Sequence, residues 1–251
     1  MIDPQLAFVL AAVPAAFAVG MGKGGVPMIG ILSVPILSIV MSPIAAAGLL
    51  LPVYVVSDMF GVWAYRREFS WRNLLILMPS AAIGIGVGWA TASYVTDAEI
   101  MLAVGFIGLA FCLNRWLSRD STVVRPADVP RGVFWGAIAG FTSFATHAGG
   151  PPYQMYVVPQ KLPKMVYAGT STILFAGINA MKLVPYWALG QLSPSNLKVT
   201  ALLLPVAVAA TFIGVRLTRV IPERLFYRFV MTALFLLSVK LVFDGVRAIT
   251  A

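Results

Sequence analysis

Two stretches, Gly22-Lys23-Gly24-Gly25-Val26-Pro27 and His147-Ala148-Gly149-Gly150-Pro151-Pro152, interrupt apolar sequence with paired glycines beside a cationic or titratable side chain. Hydrocarbon offers no hydrogen bonds to stray backbone, so such a break at membrane depth survives only where protein or a watery cavity covers it. Interruptions at corresponding places in two halves of a membrane chain point to a central binding site.

The surrounding composition places the breaks in a membrane. Of 251 residues, 60% are hydrophobic and 11% charged, with mean hydropathy +0.90. Ten spans of about 20 residues would use most of the chain and leave no room for a soluble domain. Ten apolar stretches are expected near 5–21, 26–41, 44–65, 73–94, 98–117, 131–146, 150–160, 164–188, 196–215 and 223–246. The second and seventh are short, and each follows one of the glycine breaks. No Lys or Arg precedes the first apolar run, which therefore lacks the basic region of a cleaved signal peptide and is expected to stay. The lone Cys112 excludes an intrachain disulfide and a cysteine metal cluster.

The formal net charge of +9 is explained by placement. Basic residues collect in alternate loops: Arg66 to Arg72, Arg115 to Arg131, Lys161 and Lys164, then Arg216, Arg219 and Arg224. The intervening loops carry little or no basic charge, which is the positive-inside pattern and puts both termini outside the cytoplasm. Nucleic-acid binding is not expected. The six tryptophans mostly lie near segment ends, where an interfacial belt accounts for them.

The halves read as copies. Ala47-Gly48 and Asp58 match Ala168-Gly169 and Asn179; Ser70 and Asn73-Leu74 match Ser193 and Asn196-Leu197; Pro79 and Gly88 match Pro205 and Gly214. The offset grows from 121 at Asp58/Asn179 to 126 at Pro79/Pro205. Five elements per half is an odd number, so the second copy inserts upside down. The expected architecture is an all-α membrane protein of about ten segments in two inverted five-element repeats, with short or re-entrant glycine-interrupted helices. The first repeat covers 1–117, a cytoplasmic linker 118–130 and the second repeat 131–251.

The candidate site residues follow from chemistry. Gly24, Gly25, Gly149 and Gly150 read as helix starts whose unpaired N–H groups attract an anion, with proline tolerated in the first turn. Convergence of the two copies would bring both starts to one anion. Lys23 would add charge compensation, or else snorkel to the surface while the glycines merely allow close packing. His147 would donate to an oxyanion or carry a proton, or else hold the loop through a backbone carbonyl. Asp58, within an apolar run, must be paired, protonated or hydrated; it is either a proton carrier or a partner of Lys23 or Lys182. Gln154, one turn past the second break, and Asn179 with Lys182, one turn apart, complete the substrate-binding set. Thr142 and Ser143 read as structural, since helical hydroxyls bond their own backbone. No metal site and no cofactor are expected.

These residues resemble the TauE/SafE-type sulfite exporters, the TSUP family of membrane transporters. Gly20-x-Gly22-Lys23-Gly24-Gly25 is similar to the family's N-terminal glycine motif. The run Thr142 to Pro152, then Pro159-Gln160-Lys161 and Asn179-x-x-Lys182, is similar to one branch of it. Lys23 stands where other branches carry a further glycine. The resemblance implies movement of sulfite, sulfonates or related organosulfur anions across the bacterial inner membrane.

The reading is a secondary transporter of a small anion, sulfite or an organosulfonate first, working by alternating access. The alternative is an anion channel with a fixed glycine-lined filter. No P-loop is present, and the signatures of an intramembrane enzyme are missing. Its expected partners are the anion and the lipid bilayer, with a homodimer left open.

Overall fold

The computed structural model describes residues 3–30, 32–41, 43–91, 96–117, 124–147, 149–188, 190 and 194–250. Ser42, Ala148, Ser193 and 118–123 of the expected linker lie outside the described residues.

Every regular element among the described residues is helical: α1 (Pro4–Lys23), α2 (Pro27–Gly30), α3 (Ser33–Leu37), α4 (Pro43–Tyr65), α5 (Trp71–Thr91), α6 (Asp97–Leu117), α7 (Val129–Thr146), α8 (Gly150–Val157), α9 (Lys164–Ala188), α10 (Pro194–Val220) and α11 (Glu223–Thr250), with a 3-10 turn over Val158–Gln160. Five stretches are long and apolar enough to cross a membrane: Gln5–Lys23, Ala45–Tyr65, Trp71–Thr91, Leu197–Val220 and Glu223–Thr250. At 25 residues α9 is also long, but it carries a polar stripe, Thr170, Ser171, Thr172, Asn179 and Lys182, and that stripe is buried.

One expectation needs correction. The stretch 26–41 is two short helices, α2 of four residues and α3 of five, because Gly30 and the prolines at 27 and 35 interrupt the ladder. The seventh stretch is short as expected: eight residues of α8 and three of the 3-10 turn rise about 18 Å at most, well under a bilayer's hydrocarbon thickness of about 30 Å.

The chain forms two compact units, 1–70 with 165–221 and 71–164 with 222–251. Each takes helices from both sequence halves. In the first, α1 packs along α10, α4 packs on α10 and α1, and α2 and α3 fold back on α1. Small residues at every fourth position, Ala12, Ala16, Gly20 and Gly24, bring α1 close to α10. A Cβ on Gly20 would collide with the Ala207 carbonyl, and one on Gly214 would lie 2.9 Å from the Gly24 Cα. Leu49, Leu50 and Val53 of α4 and Leu37 of α3 close the apolar core over this seam.

In the second unit α5 packs along α7 and α6 along α11, while α8 lies against α7 and α6. The α5–α7 seam has the same construction. A Cβ on Gly140 would collide with the Ala81 carbonyl, and one on Gly136 would lie 2.9 Å from the Ser80 Cβ. Asn73 and Gln160 exchange two amide hydrogen bonds, of 2.9 and 3.1 Å, that fasten the start of α5 to the end of the 3-10 turn.

Candidate functional site

The first break closes a helix. The N–H of Gly24 donates to the Gly20 carbonyl at 2.8 Å, that of Gly25 to Gly22 at 3.4 Å and that of Val26 to Met21 at 3.2 Å. Pro27 has no N–H. The donors expected to greet an anion at Gly24 and Gly25 are therefore spent on the C-terminal turn of α1, and α2 is too short to build a helix-start site. Gly25 is required by its φ of +99°, a conformation other residues rarely adopt. The carbonyls left over at this end are satisfied from neighbouring helices. Gly24 accepts from the Tyr65 hydroxyl at 2.7 Å and from Thr218 at 3.3 Å, and Lys23 from Thr172 at 3.3 Å.

What the break presents is the Lys23 side chain. A cation suits the negative end of α1, yet this one is buried, with its ammonium 2.7 Å from Asp58 Oδ1. Asn179 Nδ2 donates to the other carboxylate oxygen at 2.8 Å. The Lys23 ammonium also stands 5.0 Å from the Tyr54 ring centroid. Tyr54, Asp58, Gly61 and Tyr65 recur at helical spacing and form one stripe of α4. That stripe meets the end of α1 in turn through the Lys23 ammonium, the same ammonium again, the Lys23 carbonyl and the Gly24 carbonyl. The Tyr54 hydroxyl continues to Ser33 Oγ at 2.6 Å and the Gly30 carbonyl at 3.0 Å, so the α2–α3 hairpin is tied to the same cluster. Lys182, one turn beyond Asn179 on α9, is wholly buried; its ammonium is 5.9 Å from the Tyr186 ring centroid, and its charged neighbours are Lys23 and Asp58.

Four of the expected residues, Lys23, Asp58, Asn179 and Lys182, thus meet in one unit. Of the pairings open to Asp58, the structure shows Lys23. Tyr54, Ser33 and Thr172 were not anticipated. The spacing of Tyr54 four residues before Asp58 was the available signal for the first, since it places both on one face.

The second unit carries the other break. His147 caps α7 in the left-handed region, φ 55° and ψ 17°, with its N–H donating to the Thr142 carbonyl. The Thr142 hydroxyl bonds the Ile138 carbonyl at 2.8 Å, the structural role expected of it. Gly149 caps α8 and Gly150 opens it. Pro151 and Pro152 have no N–H, and that of Tyr153 donates to the Gly149 carbonyl at 3.3 Å. Among the described residues, the amides of Gly149 and Gly150 are the donors this helix start has to present. Gln154 is fully buried one turn on. No group of three or more His, Cys, Asp or Glu suited to a metal occurs among the described residues.

Long apolar helices with large hydrophobic residues on their outer faces, and charged side chains turned inward, define a multi-pass membrane protein. The chain belongs to the sulfite exporter TauE/SafE family, whose pattern it matches over residues 10–241, and is a membrane transporter. No curated protein and no solved structure matches it.

Proposed function

We propose that the protein is a secondary transporter that carries a small sulfur oxyanion, sulfite or an organosulfonate, across the bacterial cytoplasmic membrane by alternating access. The observation that carries this reading is the buried cluster of Lys23, Asp58, Asn179 and Lys182. Charges are rare inside apolar helix bundles and mark the path of a charged substrate. Two ammonium groups with an amide between them suit an oxyanion with several acceptor oxygens. The family supplies the sulfur chemistry, as its description names sulfite.

The inverted repeat is supported by packing. Ala81 and Ala207 are repeat mates at the offset that relates Pro79 to Pro205, and each receives a glycine of the opposite half, Gly140 and Gly20. The basic loops support an orientation with both termini outside the cytoplasm. A glycine-lined filter is less well supported than a carrier, because the Gly24 and Gly25 amides are committed to α1.

The test is thermal stabilisation of the purified protein by sulfite, sulfoacetate, taurine, sulfate and chloride, with Lys182→Met alongside. Binding to the folded state raises the melting temperature with occupancy. A shift with a sulfur anion that vanishes in Lys182→Met is expected. A shift of equal size in the variant would remove the cluster from the site.

A further inference from the structure

The cluster contains two ammonium groups, Lys23 and Lys182, and one carboxylate, Asp58. Its unit holds two further carboxylates, Asp3 and Glu68. Asp3 caps the opposite end of α1, about 30 Å from Lys23 along a helix of that length. The Glu68 carbonyl lies against Gly169, about 20 Å along α9 from Lys182. The charged groups acting on Asp58 are Lys23 from α1 and Lys182 from α9, joined by the Asn179 amide. Tyr54 faces it from α4 itself. The α2 and α3 sequences hold no titratable residue, and Lys198, Arg216 and Arg219 of α10 sit near that helix's ends. The cluster therefore carries one positive charge beyond its internal compensation, and unbalanced buried charge in apolar surroundings is costly.

Resting on the anion-site reading above, we propose that this cluster accepts one net negative charge: a monoanion with Asp58 ionised, or a dianion together with a proton on Asp58. In the second case the proton comes from water on the side the site faces and forms an O–H bond on the Asp58 carboxylate. The negative charge that held Lys23 is then gone, and both ammonium groups turn to the dianion. Either occupied state is balanced, so both kinds of substrate leave the cluster with the same charge. A monoanionic sulfonate is carried as it is, whereas a dianion such as sulfite or sulfate travels with a proton.

The proposal is tested by calorimetric titration of the intact protein with methanesulfonate and with sulfate, near-isosteric probes of charge −1 and −2. Repeating each titration in buffers of different ionisation enthalpy reads the protons taken up. Sulfate is expected to take up about one proton more than methanesulfonate, and its Kd to rise about tenfold per pH unit relative to that of methanesulfonate. In Asp58→Asn the difference between the probes should disappear. Equal proton uptake by the two anions in the wild-type protein, or a difference that survives in Asp58→Asn, overturns the proposal while the anion site stands. Failure of both anions to bind overturns the site and the proposal together. Should the variant not fold, the comparison of the two probes on the wild-type protein decides the matter alone.

Discussion

Lys23 is held from two directions, its carbonyl by Thr172 and its ammonium by Asp58, so replacing it does more than remove a charge. Lys23→Ala leaves Asp58 buried with one amide donor, and stripping one partner from a buried pair costs about 3–5 kcal/mol. The double variant Lys23→Ala/Asp58→Asn removes the orphaned charge and should melt well above the single one; identical melting temperatures would mean the pair adds nothing. Lys182→Met is the cleaner probe of function, since it leaves the Lys23–Asp58 pair intact. His147 poses a different question. Its left-handed backbone costs a non-glycine residue about 1–2 kcal/mol, so His147→Gly should melt at or above the wild-type temperature while transport falls. Undiminished transport would reduce the imidazole to a loop residue. The titratable members of the cluster stood out in the sequence because charge inside an apolar run is anomalous. Tyr54 and Thr172 did not, because a tyrosine or threonine there is ordinary until its neighbour is known.

At the scale of the element, glycine position separates packing from mere composition. Gly20 and Gly140 each face a carbonyl across a helix seam, whereas a Cβ on Gly86 of α5 would meet nothing within 4 Å. Gly20→Val and Gly140→Val should each destabilise by about 1–3 kcal/mol through overpacking. Gly86→Ala should instead stabilise by about 0.5–1 kcal/mol, by relieving glycine's entropy cost in a helix. Thermal melts of the three variants check this, and a Gly20→Val protein as stable as wild type would contradict the close approach. The long helices were legible from length and hydropathy. The division of 26–41 into α2 and α3 was not, because an apolar run reads alike whether its backbone is continuous or broken at Gly30. The glycine break itself was recognised, but its polarity was misjudged. Paired glycines followed by proline fit a helix start or a helix end equally well, and only the hydrogen bonds to Gly20, Gly22 and Met21 distinguish them.

At the scale of the whole molecule, sequence order and packing part company. The halves of the sequence were visible through matched residues such as Pro79 and Pro205, but each compact unit draws helices from both. Local pattern records which residues are alike and says little about which helices meet. Five tryptophans, Trp63, Trp71, Trp89, Trp116 and Trp187, are exposed, as an interfacial belt requires. Orientation is open to a direct check. In a Cys112→Ser background, a cysteine at Arg67 should be labelled from the cytoplasmic side and one at Gly190 from the outer side, and the reverse would invert the topology. The central claim, that buried ammonium groups serve a carrier, is tested most directly by counterflow in proteoliposomes. With unlabelled sulfite trapped inside, uptake of labelled sulfite is expected to accelerate and saturate in the wild-type protein and to be lost in Lys182→Met. Uptake that ignores the trapped anion, or that persists unchanged in Lys182→Met, would contradict it.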